Sequence, residues 1–270
     1  MKWDHMTLKE NTFSAVTTFN LKKHPFGVEM INSFFLNWPN EIKLTAYIEN
    51  SHLIDDSLVK NKIIIKEFNE NVPQYSKFVN QYKYKEKDTD DFRFNVFRFA
   101  HKVYAIAEAI KNTQAKYLIW LDADVRTYKK FPFEFLNTLV SDDCYLSFLG
   151  REHLKTINYS ECGFLIFNTE HFINKIFWKD MMKMYDKGQL FFEKEWHDSY
   201  IFDVVRRNLE KKRKIKNFDI SHMGLVDVKD NKHVFVASVL GKFMDHRKGD
   251  RKTTKWSKEL LYRLDKDDNI

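Results

Sequence analysis

Two aspartates, Asp122 and Asp124, follow directly on the almost entirely apolar run 116–121, with only the small Ala123 between them. Such a run is typical of a central parallel strand covered on both faces, and open α/β sheets bind ligands at the carboxyl ends of their strands. Mg²⁺ and Mn²⁺ take carboxylate oxygens, water and substrate phosphates as ligands. The pattern therefore favours a divalent cation bound with a phosphate-bearing substrate; a solvated turn is the other explanation of an isolated Asp-x-Asp.

The elements that would position these acids follow the order of an α/β sheet. Apolar, β-branched runs predict strands, and apolar residues at helical spacing predict helices. The predicted strands are 13–19, 42–48, 63–65, 116–121, 145–149, 163–167 and 234–239. The predicted helices are 25–37, 92–110, 170–186 and 196–209. The charged segment 82–91 is expected to form a mobile surface loop outside the core.

Composition and length favour one folded domain. The 270 residues include 25 Phe and 43% hydrophobic residues, which excludes a disordered chain. Because no linker or internal repeat divides the chain, we expect a single domain over 1–270. Within it we expect a donor-binding half at about 12–130, an acceptor-side half at about 131–255 and a C-terminal tail at 256–270.

The remaining bulk properties bear on location and partners. The two cysteines are 18 residues apart and form no CxxC pair, so we expect no disulfide. Because the N-terminus has no apolar signal segment, we expect a cytoplasmic protein, which would be peripheral if it visits a membrane. The net charge of +7 favours anionic partners. The basic run 206–214 is expected to be a solvated helix end rather than a binding patch.

The segment 117–125, Tyr-Leu-Ile-Trp-Leu-Asp-Ala-Asp-Val, resembles the strand and DxD motif of GT-A glycosyltransferases. The resemblance implies a Rossmann-like α/β fold for nucleotide-diphospho-sugar transferases, with a single mixed sheet flanked by helices. It also implies that Asp122 and Asp124 hold Mn²⁺ or Mg²⁺ against the diphosphate of a UDP- or GDP-sugar, with Ala123 leaving room for the donor.

A second segment, 244–252, resembles the C-terminal His-x-x-Gly-x-x-Lys element of family-8-like glycosyltransferases. The matching residues are His246, Gly249 and Lys252. The resemblance implies that His246 is the third metal ligand and that the basic residues beside it, among them Lys248 and Arg251, bind the phosphates. Thr253-Thr254 replaces the Pro-Trp that the family has after the lysine, which leaves the register of the basic residues open, and a basic solvated loop is the alternative.

Two further segments are similar to parts of the same family. The segment 159–168 is similar to the acidic-x-Gly-apolar-Phe-Asn strand under the donor sugar, which implies that Glu161 and Gly163 contact the donor; an ordinary glycine at the start of a buried strand is the alternative. The acid that begins the following helix commonly faces the acceptor or the sugar. Asp198 is the candidate catalytic carboxylate here and Glu195 the second choice, although acidic residues in this position also serve as helix caps.

The remaining candidates would bind the nucleotide. Arg98 and Lys102, on the helix before the DxD strand, occupy positions from which basic residues of the family reach the phosphates, and surface positions would explain them almost as well. Thr17, Thr18 and Asn20, at the carboxyl end of the first strand, correspond to the place where the family binds base and ribose through hydrogen bonds.

The sequence therefore predicts a metal-dependent glycosyltransferase (a hexosyl- or pentosyltransferase) that acts on an acceptor hydroxyl. A glycan or lipid-linked glycan is the expected acceptor, and hydroxymethylated DNA bases of viral type are the alternative. A Mg-dependent nucleotidyltransferase is the second alternative, although the chain has no Gly-rich phosphate loop. A noncatalytic binding protein on the same fold is disfavoured by the intact DxD. Retention and inversion of the sugar stereochemistry both stay open.

Overall fold

The computed structural model describes residues 12–58, 61–154, 157, 159–228, 233–249, 252 and 254–267. Within these ranges the strands are β1 (Phe13–Asn20), β2 (Lys43–Glu49), β3 (Ile63–Glu67), β4 (Tyr117–Leu121), β5 (Val125–Thr127), β6 (Cys144–Leu149), β7 (Glu161–Asn168), β8 (Lys216–Asp219) and β9 (Met244–His246). The α-helices are α1 (Phe26–Asn37), α2 (Phe68–Asn71), α3 (Pro73–Tyr82), α4 (Val96–Asn112), α5 (Phe133–Thr138), α6 (Asn174–Asp186), α7 (Asp198–Arg213), α8 (Val234–Ala237) and α9 (Lys258–Asp267).

Seven strands form one mixed sheet in the order β3-β2-β1-β4-β7-β6-β8. The half that contains β3, β2, β1 and β4 is parallel, so the carboxyl ends of these strands meet at one edge of the sheet. β7 then pairs antiparallel with both β4 and β6, and β8 pairs parallel with β6. The predicted mixed α/β sheet flanked by helices is confirmed, and β4 lies at its centre.

A second, two-stranded sheet adds to the predicted architecture. β5 pairs antiparallel with β9, and Val125 lies opposite His246. Because β5 begins one residue after Asp124, this pairing brings the C-terminal part of the chain to the end of β4. The sequence predicted one sheet only, since strands of three residues leave almost no periodic pattern.

Two apolar clusters cover the faces of the large sheet. One contains side chains of α4, α6 and α7 with Trp120 and Phe167 from the sheet. The other contains α1 with Ile119 and Phe164. Neighbouring residues of β4 and β7 thus point to opposite faces, and β4 is buried along its whole length, as its apolar sequence predicted.

The predicted strand 234–239 is wrong. Residues Val234–Ala237 form the short helix α8, and a 3₁₀ helix follows at Val239–Lys242. Every side chain of α8 is buried, so the run lacks a polar face, and hydrophobic periodicity cannot distinguish a short buried helix from a buried strand.

The segment 82–91 is only partly the predicted surface loop. Tyr82 is the last residue of α3 and is buried, with its ring against Gly188 and Phe191. Most of the rest is exposed, and it begins with a 3₁₀ helix at Lys83–Lys85. Among the described residues no helix has the length and apolar character needed to cross a membrane.

Candidate active site

Asp122, Asp124 and His246 form a compact cluster at the carboxyl end of β4. Each side chain offers one ligand atom, and these atoms lie within 4.8 Å of one another. His246 Nε2 is 3.0 Å from Asp124 Oδ1 and 3.5 Å from Asp122 Oδ2. Two carboxylates and one imidazole are a ligand set that Mg²⁺ and Mn²⁺ accept, and the structure therefore contains a candidate metal centre at this edge.

Local structure explains why these three residues meet. β4 ends at Leu121, and the chain turns back at once, with Val125 N donating to Asp122 O at 3.0 Å. The turn places both aspartates between β4 and β5, and β9 presents His246 to them through its pairing with β5. Arg247 N also donates to Asp124 O at 3.0 Å, which fixes the two segments against each other.

His246 is buried between acids on both sides of its ring. Its Nδ1 lies 3.1 Å from Glu161 Oε1, on the side away from the aspartates. Burial by itself would lower the pKa of His246, but the charges of Asp124 and Glu161 outweigh burial and raise that pKa to about 9. At neutral pH the imidazole therefore carries protons on both nitrogens.

Glu161 lies behind His246. Burial by itself would raise the pKa of Glu161, but Lys248, Arg151 and His246 outweigh it and hold the pKa well below its usual value. Lys248 and Arg151 both form ion pairs with Oε2 of this carboxylate. The carboxylate is therefore ionised and fully paired, although it is almost completely buried.

Lys102 links the candidate metal centre to Asp198, the candidate catalytic carboxylate. Its Nζ lies 2.9 Å from Asp122 Oδ1 and 2.9 Å from Asp198 Oδ2, and it donates to Cys162 O at 2.6 Å. Burial opposes the charge of Lys102, but the two carboxylates outweigh burial and raise its pKa. The ammonium is therefore charged and held between two acids.

A cleft of about 520 Å³ opens in front of this cluster. One end of it is formed by the carboxyl ends of β1 and β2, where Thr18 donates to Tyr47 O at 2.6 Å and Asn20 contacts Glu49. The other end is formed by the aspartates and their neighbours. The sequence-predicted residues that line the cleft are Thr18, Asn20, Arg98, Lys102, Asp122, Ala123, Asp124, Asp198 and Lys252.

Several predicted site residues lie elsewhere. The side chain of Thr17 is completely buried outside the cleft, because successive residues of β1 point to opposite faces. Glu195 contacts His197 Nε2 at 2.9 Å and does not line the cleft. Gly249 has a φ of +64°, which explains a glycine there, and Arg251 lies outside the described residues.

Lys248 and Lys252, two of the described basic residues of the C-terminal motif, contact different acids. Lys252 Nζ is 2.9 Å from Asp124 Oδ2 at the edge of the cleft, whereas Lys248 pairs with the buried Glu161. Gly163 lies next to the His246 ring, since a Cβ built on Gly163 would be 2.4 Å from His246 Cε1. The ring therefore packs against β7 at Gly163, and the predicted contact of Gly163 with the donor stays a prediction.

Sequence reasoning missed three residues around the site. Arg151 is buried against Glu161, and Glu49 and His101 line the cleft, with His101 Nε2 3.2 Å from Glu49 Oε1. Glu49 is the last residue of β2, and Asp122 directly follows β4, so both lie at the carboxyl edge of the sheet. This position was the signal from which Glu49 could have been predicted. Arg151 and His101 had no such signal, because neither belongs to a motif.

Several solved structures of glycosyltransferases are similar to this chain in fold. Mouse xyloside xylosyltransferase 1 is 10% identical over 77% of this chain and 85% of its own, with a TM-score of 0.50. A glycosyltransferase involved in glycosylation of the major capsid of PBCV-1 is 11% identical over 93% and 98%, also with a TM-score of 0.50. The fold is that of GT-A glycosyltransferases.

The glycosyltransferase GlyE of Streptococcus pneumoniae TIGR4 has the same GT-A fold. It is 9% identical over 94% of this chain, with a TM-score of 0.50, and this chain spans 63% of its length. No family model matches the chain, and no curated protein matches it by sequence. At such identities the likeness shows the fold, whereas the function has to be argued from the site.

Proposed function

We propose that this chain is a metal-dependent glycosyltransferase that moves a sugar from a nucleoside diphosphate to an acceptor hydroxyl. The observation that carries the proposal is the cluster of Asp122, Asp124 and His246 at the carboxyl end of the central strand, at the edge of a cleft of about 520 Å³. Open α/β sheets bind nucleotides at this edge, and the GT-A fold adds support.

The residues present fit a divalent cation. His246 Nε2 faces both aspartates, while Nδ1 faces Glu161. A cation would take the place of the Nε2 proton between the imidazole and the carboxylates, as metal binding requires. When bound, it would supply Lewis-acid stabilisation of the negative charge that develops on the departing diphosphate. Mn²⁺ and Mg²⁺ both suit this ligand set.

Basic side chains around the cluster would bind the donor phosphates. Lys252 and Lys102 reach the cleft and contact Asp124 and Asp122, and Arg98 lines the same cleft with its side chain exposed. Charge-assisted contacts of this kind stabilise a diphosphate more in the transition state, where its charge grows, than in the ground state.

Asp198 is our candidate for the group that orients or deprotonates the acceptor hydroxyl. It begins α7, lines the cleft and is linked through Lys102 to Asp122. In an inverting reaction its carboxylate would accept the hydroxyl proton; in a retaining reaction the leaving phosphate would accept it.

The nucleotide base would lie at the carboxyl ends of β1 and β2. Thr18, Asn20 and Glu49 offer a hydroxyl, an amide and a carboxylate there, which suit the hydrogen-bonding edge of a base or a ribose. We propose a UDP- or GDP-sugar as the donor and a glycan or lipid-linked glycan as the acceptor. The cytoplasmic location expected from the sequence stays a prediction.

Replacing either aspartate tests the proposal. We expect Asp122→Asn and Asp124→Asn to reduce nucleotide release from a panel of UDP- and GDP-sugars with Mn²⁺ by more than about 100-fold, since even indirect partners of a metal contribute 10- to 100-fold. Asp143→Asn, at an exposed position, is the matched control, and circular dichroism checks the fold. Activity close to wild type in either aspartate variant would remove the metal assignment.

A further inference from the structure

Glu161 does not lie in the cleft that would receive the donor. Its side chain is 4% exposed and is absent from the cleft lining. The imidazole of His246 packs over β7 at this point, in the space left by the missing side chain of Gly163. Glu161 thus lies behind His246, which fits a role exerted through His246, and its contact with the sugar stays a prediction.

The two oxygens of Glu161 have different partners. Oε1 lies 3.1 Å from His246 Nδ1 and accepts from Gly163 N at 3.2 Å. Oε2 pairs with the side chains of Arg151 and Lys248. The two cations hold the carboxylate in one orientation, so Oε1 faces the imidazole, and rotation of the carboxylate would break both pairs.

A histidine that binds a metal through one ring nitrogen is commonly held by a carboxylate or carbonyl at the other. That contact fixes the rotation of the ring and selects the tautomer with a proton on Nδ1, which leaves the Nε2 lone pair for the metal. In the line Arg151–Glu161–His246 a carboxylate oxygen lies 3.1 Å from Nδ1, and His246 Nε2 lies 3.0 Å from Asp124 Oδ1 and 3.5 Å from Asp122 Oδ2.

We infer that Glu161 is a positioning residue for the metal centre: it orients His246 so that Nε2 faces the two aspartates, and Arg151 and Lys248 hold Glu161 in place for this purpose. The inference rests on the proposed metal site and assigns Glu161 a role different from binding the donor sugar. It makes metal affinity depend on a side chain that touches neither metal nor substrate.

The test has to separate loss of positioning from loss of the fold. Glu161→Gln alone leaves the buried Arg151 and the half-buried Lys248 against a neutral amide, which is strongly unfavourable for the buried charge. The double variant Glu161→Leu with Arg151→Gln removes one negative and one positive charge together, so it keeps the charge balance, and leucine, unlike glutamine, offers His246 Nδ1 no oxygen. Arg151→Gln alone is the matched control, because Lys248 still pairs with Glu161 in it and holds the carboxylate toward His246.

The measurement is Mn²⁺ binding without donor, followed by the electron paramagnetic resonance signal of the free ion. We expect the double variant to bind Mn²⁺ about 10- to 100-fold more weakly than wild type, with a smaller effect in Arg151→Gln. Spectra of ¹⁵N-labelled histidine with Mg²⁺ provide a second readout: His246 should keep its Nδ1 proton in wild type and exchange between tautomers in the double variant.

The outcomes distinguish this inference from the proposed function. If wild type binds Mn²⁺ and Asp124→Asn abolishes binding while the double variant keeps wild-type affinity and tautomer, Glu161 does not position His246 and only this inference is wrong. A double variant with unchanged Mn²⁺ affinity but a raised KM for the donor would return Glu161 to the sugar-binding role. Absence of Mn²⁺ binding in wild type would overturn both proposals.

Discussion

At the scale of single residues, Gly163 determines whether His246 can reach the aspartates. A Cβ at this position would lie 2.4 Å from Cε1 and 2.5 Å from Nδ1 of the imidazole, far inside van der Waals contact. The ring is buried and held on both sides, so it has little room to retreat. In an interior packed this closely, even one added methyl group displaces the neighbouring side chains.

Gly163→Ala therefore tests the packing of the metal centre. We expect the added methyl group to displace His246, to lower the free energy of unfolding by about 1–3 kcal/mol, and to weaken Mn²⁺ binding in a titration of the folded protein. Cys162→Ala is the matched control, because Cys162 packs in the apolar cluster with α4 instead. Wild-type Mn²⁺ affinity in Gly163→Ala would show that the ring can shift without loss of the site.

At the scale of elements, the strand β9, which carries His246, is hydrogen-bonded to the start of the C-terminal helix α9. Asp245 is fully buried in β9 and accepts hydrogen bonds from Ser257 N at 2.6 Å and Ser257 Oγ at 2.7 Å. Ser257 Oγ in turn accepts from Leu260 N at 3.2 Å, as an N-cap does at the start of α9. The helix thereby holds β9 against β5.

Ser257→Ala should loosen this connection. We expect a loss of about 1–2 kcal/mol in the free energy of unfolding, because a cap is lost and a buried carboxylate loses one of its donors. Urea unfolding followed by circular dichroism measures the change. Thr138→Ala is the control, because it removes an exposed hydroxyl bonded to Phe135 O. We expect almost no change in the free energy of unfolding of this variant. Equal changes in the two variants would contradict the capping role of Ser257.

At the scale of the whole molecule, the basic run 206–214 has six cationic side chains and one acid, so it contributes +5 to the net charge of +7. Arg206 is buried and pairs with Asp203 at 2.9 Å and Glu210 at 2.8 Å. The exposed lysines that follow form the last turn of α7, where positive charge complements the helix dipole. The run is thus the helix end that the sequence predicted.

Because Arg206 and Arg207 pair with Asp203 and the remaining cations of the run complement the dipole of α7, we expect the run to bind nucleic acid only weakly. We expect the affinity for duplex DNA, measured by fluorescence anisotropy, to depend only weakly on salt concentration. A protein that neutralises DNA phosphates gives a slope of roughly −0.9 for each phosphate when the logarithm of the binding constant is plotted against the logarithm of the salt concentration. Anionic liposomes at the same ionic strengths are the control for non-specific attraction. A slope of several units with DNA alone would favour the modified-DNA acceptor over the glycan.

The sequence by itself determined the features that depend on neighbouring residues. The apolar run that ends at Asp122 and Asp124 predicted the buried central strand, and it placed the acids at the carboxyl end of that strand, where open α/β sheets bind ligands. The repeated apolar spacing predicted α4 and α7, and the resemblance to GT-A enzymes singled out His246 from a distant part of the chain.

Only the tertiary structure decided which distant side chains meet. Glu161 and Gly163 meet His246 because β9 pairs with β5 beside β7, and a three-residue strand carries no periodic pattern. Thr17 faces the core while Thr18 faces the cleft, which depends on how β1 is covered on its two faces. Such contacts arise from packing between elements, and local sequence spacing holds no information about which elements pack together.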